Sequence, residues 1–237
     1  MAQHILRKDL KKDEIRESLV HGVESVASHQ QALWVVVTVA LVVALGVFGW
    51  SSYTKRQTAK ASAALDDAMK VFQARVRAPS EQADPGEITY VDEKNKYTDA
   101  EKKFLDAAAQ YGRTKPGQIA RYYAALSEIQ LKQYPAAESN LGQLSGADES
   151  LAGLAKFQLA GVYLQENKSA QAVEIYKQLA DKPTEFVPKP IALLALADQY
   201  RKSDPAQAAK LYNQVKTEFP DAAAQADQGL ELLNAKS

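Results

Sequence analysis

Residues 169–180, SAQAVEIYKQLA, and residues 205–216, PAQAAKLYNQVK, place an alanine, a tyrosine and a branched apolar residue at the same offsets. In the first stretch these are Ala172, Tyr176 and Leu179; in the second they are Ala208, Tyr212 and Val215. Steps of four and three put all three on one face of an α-helix, the small residue where another helix crosses and the bulky ones a turn later. Toward the N-terminus the pattern returns as Ala137, Leu141 and Leu144, and again as Ala100, Phe104, Ala107 and Tyr111. The leading alanines recur at intervals of roughly 36 residues, the period of stacked two-helix units. Leu159-Ala160 with Tyr163, and Leu196-Ala197 with Tyr200, supply the other helix of the last two units.

The nine prolines all follow residue 78 and punctuate this ladder. Proline fits the first turn of a helix and breaks its interior. The stretches between predict helices over 58–77, 98–111, 117–132, 135–145, 149–165, 170–181, 190–202, 205–217 and 221–234. Thr98 with Glu101 reads as a capping box and Asp204-Pro205 with Gln207 as a second cap, while Ser169, Asp148 and Asp221 can accept first-turn amides. Connections this short make neighbouring helices antiparallel. Together these residues resemble the tetratricopeptide repeat family over about 98–220, most closely in the last two units. The resemblance implies an all-α chain with an α-solenoid of tetratricopeptide-like helix pairs over 54–237. Helix 58–77 then opens an incomplete unit and helix 221–234 caps the stack.

Ahead of the ladder, Ala32 to Trp50 carries no charge and Thr38 as its one polar residue. Nineteen helical residues cover about 28 Å, enough for a hydrocarbon core of about 30 Å. Trp34 at one end, with Trp50, Tyr53, Lys55 and Arg56 at the other, match the aromatic and basic residues of a membrane interface. The segment is too long for a secretory signal and lies too far from Met1, so it reads as an uncleaved transmembrane helix over 32–53 behind a tail over 1–31. The tail pattern predicts a helix over 9–28, with Ile15, Leu19, Val23 and Val26 on one side. Lys12 and Arg16 flank the span on one side and Lys55, Arg56, Lys60 and Lys70 on the other. That count leans toward a cytosolic C-terminal domain, although long domains translocate largely regardless of flanking charge.

A short tail, one span and degenerate tetratricopeptide repeats resemble the bacterial family of ancillary subunits of the Sec translocon. That resemblance implies an inner-membrane, single-pass protein with a cytoplasmic tail and periplasmic repeats, contacting the translocon, chaperones or newly exported chains. The chain departs from it at residues 78–97, APSEQADPGEITYVDEKNKY, read as an insertion in loop or short-strand form. This segment holds five acids (Glu81, Asp84, Glu87, Asp92, Glu93) and the apolar residues Ile88, Tyr90 and Val91. It serves either as plain surface or as a partner contact.

Composition narrows the chemistry. Basic and acidic residues number 29 each, which argues against a nucleic-acid partner, since phosphate binding needs a basic excess. The absence of cysteine excludes disulfides, thiol nucleophiles and Cys-ligated zinc. All three histidines (His4, His21, His29) precede the span, leaving the repeats without an imidazole base or ligand. No phosphate-cradling glycine run or GxSxG elbow occurs, and acidic pairs such as Asp66-Asp67 splay apart on a helix. The expectation is a non-enzymatic protein with no cofactor and no metal, which binds proteins through its surface.

In tetratricopeptide stacks the first helices of the pairs line a concave groove. The corresponding candidates are Arg121, Glu128, Lys132, Phe157, Gln165, Asp198 and Arg201. Phe157 and Gly161 stand where the carboxylate-clamp variety of the family uses Lys and Asn, so a clamp for chaperone C-terminal peptides is not expected. Self-association as a homodimer is a second reading, since Ala40 and Ala44 form a small-xxx-small pair in the span. That reading makes the protein a structural element of the envelope. An envelope-assembly adaptor with cytosolic repeats is a further alternative.

Overall fold

Small side chains at fixed intervals let helices approach closely, and the computed structural model, which describes residues 30–235, buries Ala100, Ala137, Ala172 and Ala208 completely. Phe104, Leu141, Tyr176 and Tyr212, each one turn after its alanine, are buried beside them. The described residues form nine α-helices: α1 (Gln30–Phe72), α2 (Glu93–Tyr111), α3 (Lys115–Gln130), α4 (Tyr134–Gly142), α5 (Glu149–Gln165), α6 (Ser169–Asp181), α7 (Lys189–Ser203), α8 (Pro205–Glu218) and α9 (Ala223–Asn234). Two short strands, β1 (Arg75–Val76) and β2 (Thr89–Tyr90), lie between α1 and α2. The expected tail helix over 9–28 and all three histidines lie outside the described residues.

The chain divides into two units between Arg56 and Gln57. In the second unit each helix packs chiefly on its neighbours in sequence, the arrangement of a repeat stack whose core is a column. The chain is therefore all-α, with a long apolar N-terminal helix followed by an α-solenoid of tetratricopeptide-like helix pairs, as the ladder predicts.

Helix α1 differs from expectation. The helices expected over 32–53 and 58–77 merge into one, because residues 54–57 hold neither Pro nor Gly. The Thr54 hydroxyl bonds back to the Trp50 and Ser51 carbonyls, each at 3.0 Å, a local bond that helices tolerate. Thr38 likewise donates to the Trp34 carbonyl at 2.7 Å, so the one polar side chain of the apolar stretch is satisfied within its own helix. The helix is long and apolar enough to cross a membrane. It ends at Phe72, earlier than expected, where the chain leaves to form β1.

Other helix starts correct the capping assignments. Asp92, extended at φ −150°, accepts the Asn95 N–H at 2.7 Å. Helix α2 thus starts at Glu93, and Thr98 and Glu101 lie inside it. Nothing in Glu93–Tyr97 breaks a helix, so the stronger upstream acceptor wins. Asp148 and Asp204 cap as expected, accepting from Leu151 N at 3.1 Å and Gln207 N at 3.0 Å. Ser169 is the first helical residue of α6 and Asp221 sits in the 3-10 turn before α9; neither helix has a side-chain cap. Thr114 caps α3 by accepting the Gly117 N–H at 3.2 Å.

Two turns within helix pairs repeat closely. Lys132 after α3 and Asn167 after α5 have φ 61° and 60°. In both turns the next residue closes back over the helix end, Gln133 N–H to Glu128 O and Lys168 N–H to Tyr163 O, each at 2.8 Å. This is the Schellman closure, which needs a left-handed residue at the turn.

The insertion occupies 73–92, not 78–97, and contains a parallel strand pair with Arg75 beside Thr89 and Val76 beside Tyr90. Arg77 N–H donates to Tyr90 O at 2.8 Å, and Arg77 Nε donates to Thr89 Oγ1 at 3.1 Å. The Tyr90 hydroxyl donates to Asp99 of α2 at 2.9 Å and ties the pair to the repeat stack.

Candidate protein-interaction face

The first helices of the pairs are α3, α5 and α7, and the seven groove candidates lie on them or in the turns behind them. Glu128 departs most from the expectation of an outward side chain. It is 1% exposed, because Asn140 of α4 offers it an internal partner. Asn140 Nδ2 donates to Glu128 Oε1 at 2.7 Å, and Asn140 Oδ1 accepts from Arg121 Nη1 at 3.1 Å. Glu128 Oε2 is buried without a hydrogen-bond partner among the described residues. Burial raises the Glu128 pKa and the Glu101 carboxylate on α2 adds to the rise, while the Asn140 hydrogen bond and the Arg121 charge oppose it. Arg121 is half-buried, so this pair joins α3 to α4 and is not displayed to solvent.

The remaining candidates divide differently. Lys132 is exposed but sits in the Schellman turn beyond α3. Phe157 is half-buried, its ring centroid 5.5 Å from that of Tyr176 on α6, which makes it a packing residue of its own unit. Gln165 is exposed at the last position of α5. Asp198, exposed on α7, accepts the Tyr212 hydroxyl at 2.6 Å and lies 3.2 Å from Arg201 Nε. Burial and the bond to Asp198 both push the Tyr212 phenol pKa up. Two of the seven candidates thus meet through Asn140 and two meet directly; Lys132, Phe157 and Gln165 join neither pair.

Several contacts are not visible in the sequence. Glu138 of α4 accepts the Tyr163 hydroxyl of α5 at 3.1 Å and Lys168 Nζ at 3.2 Å, a polar link between consecutive units. Phe72 packs edge-on against Tyr97, Phe104 and Tyr123, with centroids 5.4 to 5.9 Å away. A hollow of about 350 Å³ opens between α5, α6 and the loop before α7, lined by Glu149, Lys156, Asp181, Lys182 and Thr184 among others. Its two lysines and two carboxylates can hydrogen-bond a polypeptide. The periodic signal marks helix faces and says nothing of where a hydroxyl or carboxylate finds its partner, which is why these escape it.

Trp34 and Trp50, 68% and 72% exposed, stand at the two ends of the apolar stretch of α1, with Tyr53, Lys55 and Arg56 exposed just beyond. Among the described residues no three His, Asp or Glu side chains are grouped to hold a metal ion.

A family model described as a tetratricopeptide repeat-like domain matches residues 27–188, more than half of the chain. The match takes in the apolar stretch of α1 as well as the helices through α6, and ends just before α7. No curated protein and no solved structure matches the chain.

Proposed function

Because the chain belongs to the tetratricopeptide repeat-like domain family, we propose that it is a membrane-anchored, non-enzymatic scaffold for protein–protein contacts in protein export. On this reading α1 holds it in a bacterial inner membrane, and the repeats stand in the periplasm beside the Sec translocon or its chaperones. The observation that carries the reading is the pairing of one membrane-length apolar helix with a repeat stack in a single family match. Repeats of this family serve protein–protein interaction, since stacked helix pairs offer a long surface and few enclosed sites. The exposed Gln165, and the Asp198–Arg201 pair on α7, are the groove positions we assign to partner contact.

Balanced charge supports many moderate contacts over one strongly steered partner. Protease protection on inverted and right-side-out vesicles, read from an epitope after Ser237, tests the orientation. The epitope should survive in inverted vesicles and be lost in right-side-out ones; the reverse pattern places the repeats in the cytosol and ends the periplasmic reading. Photocrosslinkers at Gln165 and Asp198 should then recover translocon or chaperone components, and recovery of envelope-assembly factors instead would redirect the function.

A further inference from the structure

From α2 to α8 only two large apolar side chains are exposed among the described residues, Phe186 at 57% and Ile191 at 44%. Phe186 lies in the connection from α6 to α7, and Ile191 in the first turn of α7. The backbone that carries Phe186 is held on both sides. Thr184 N–H donates to Val187 O at 3.0 Å, Val187 N–H donates to Thr184 Oγ1 at 3.2 Å, and the Val187 side chain is buried. The Thr184 side chain in turn lies against α5 at Gly153, where a Cβ would come within 2.7 Å of it. Phe186 thus stands on a closed, anchored turn, which leaves little backbone freedom to lose when the ring is bound.

Thr184 of the same turn also lines the hollow of about 350 Å³ between α5 and α6. Ala152 and Gly153 of α5 and Leu179 of α6 give that hollow an apolar lining. A cavity of about 150 Å³ already accepts a benzene ring, so an aromatic side chain has room here. The charged lining residues are Glu149, Lys156, Asp181 and Lys182, all exposed. None of the four has an ion-pair or side-chain hydrogen-bond partner among the described residues. One turn therefore carries an exposed aromatic ring and borders a hole, and the hole has two unpaired charges of each sign.

We propose that a second copy of the chain covers this face, in a two-fold pair in which the Phe186 ring of each copy enters the hollow of the other. A two-fold interface uses the same patch on both copies, so the patch must complement itself. Here the ring and the hole are neighbours on one patch. A lining with two charges of each sign can face a rotated copy of itself, where a lining of one sign would repel it. The whole chain carries 29 basic and 29 acidic residues, so no net charge keeps two copies apart. The pairing goes beyond the scaffold reading and stands without it, since it joins two repeat stacks whatever those stacks bind.

The chain has no cysteine, so engineered thiols report on this contact alone. Full-length Phe186→Cys and Ala152→Cys, carrying different tags, are mixed in a neutral detergent and oxidised. The mixed disulfide should exceed either like-with-like product severalfold. By sedimentation in the same detergent the parent should be a dimer, and Phe186→Asp should raise its dissociation constant about tenfold or more, the loss expected of a buried aromatic anchor. Melting and helix content should match the parent, because the ring is exposed in the single chain. Leu232→Asp, at an exposed apolar position on α9, should leave the dimer intact. A monomeric parent, a dimer that survives Phe186→Asp, an equal loss with Leu232→Asp, or no excess of the mixed disulfide overturns the proposal. A monomeric parent whose photocrosslinker at Phe186 captures a different protein would give the face to that partner and equally end the pairing. None of these outcomes alters the crosslinking from Gln165 and Asp198, which separately decides the scaffold reading.

Discussion

A carboxylate buried with one oxygen unpaired is expensive when charged, and Glu128 is in that position. In the unfolded chain it titrates near the ordinary value of 4.5; in the folded chain burial and Glu101 raise it. Between those two values the folded chain binds more protons, so this group makes stability highest below the unfolded pKa and lowers it as pH rises through the folded one. Glu128→Gln keeps an acceptor for Asn140 and removes the charge. In urea unfolding of the detergent-solubilised chain, the variant should gain over the parent at pH 8, and the gap should narrow toward pH 4. A gap that does not change with pH would show that Glu128 is not buried as a carboxylate.

Two glycines make an opposed pair at the same scale. A methyl at Gly229 would lie 2.4 Å from the Tyr212 ring, and that ring is held by its bond to Asp198. Gly229→Ala should therefore cost about 1–3 kcal/mol through overpacking. Gly161, inside α5, has open space where its Cβ would go, so Gly161→Ala should gain about 0.5–1 kcal/mol from helix propensity alone. Urea midpoints moving in opposite directions check both, and a shift of the same sign in the two would contradict the packing described.

Elements show where the fold was legible and where it was not. The alanine ladder was readable because a helix crossing demands a small side chain at one address per unit, and Ala100, Ala137, Ala172 and Ala208 stand at those addresses. Glu128 turns inward because Asn140 of the next helix receives it, a relation between elements that no period within α3 encodes. The interrupting prolines and glycine admit a loop or a short strand over 78–97, and β2 (Thr89–Tyr90) falls there, while β1 (Arg75–Val76) lies in what the pattern reads as the end of a helix; a strand of two residues has no alternation to mark it. The apolar and amphipathic stretches of α1 differ in composition and so read as two helices, while helix continuity depends on the absence of a breaker at 54–57.

The Schellman turns were hidden for a related reason: the left-handed position holds Lys132 in one unit and Asn167 in the next, where glycine would have marked both. Glycine removes the left-handed penalty. Lys132→Gly should thus raise stability by up to about 1 kcal/mol, and Asn167→Gly by less, since asparagine tolerates that region. Thermal or urea unfolding of the two variants checks the order, and destabilisation by Lys132→Gly would mean that the turn is not left-handed.

At the scale of the whole molecule, charge and hydrophobicity are distributed in different ways. Basic and acidic residues balance overall, and the segment before the span is itself balanced, five of each among Arg7, Lys8, Lys11, Lys12, Arg16, Asp9, Asp13, Glu14, Glu17 and Glu24. Electrostatic adsorption to an anionic bilayer draws on a basic excess, and here the acids at 13–24 offset the basic run at 7–12. If the protein resides in a membrane, the apolar stretch from Trp34 to Trp50 must hold it there, with its backbone bonded internally and Thr38 satisfied on the Trp34 carbonyl. A helix whose backbone groups are paired internally is a form a bilayer accepts. Retention should accordingly be indifferent to salt. The full chain should stay in the membrane pellet after washes with 1 M salt and with alkaline carbonate, at conditions that strip surface-bound proteins by screening or reversing charge, and should leave only with detergent. A chain lacking residues 30–56 should appear in the soluble fraction under every one of these conditions. Release of the full chain by salt or carbonate would mean that α1 is covered by protein and not by lipid, and the exposed apolar side chains from Trp34 to Trp50 would then mark a protein interface.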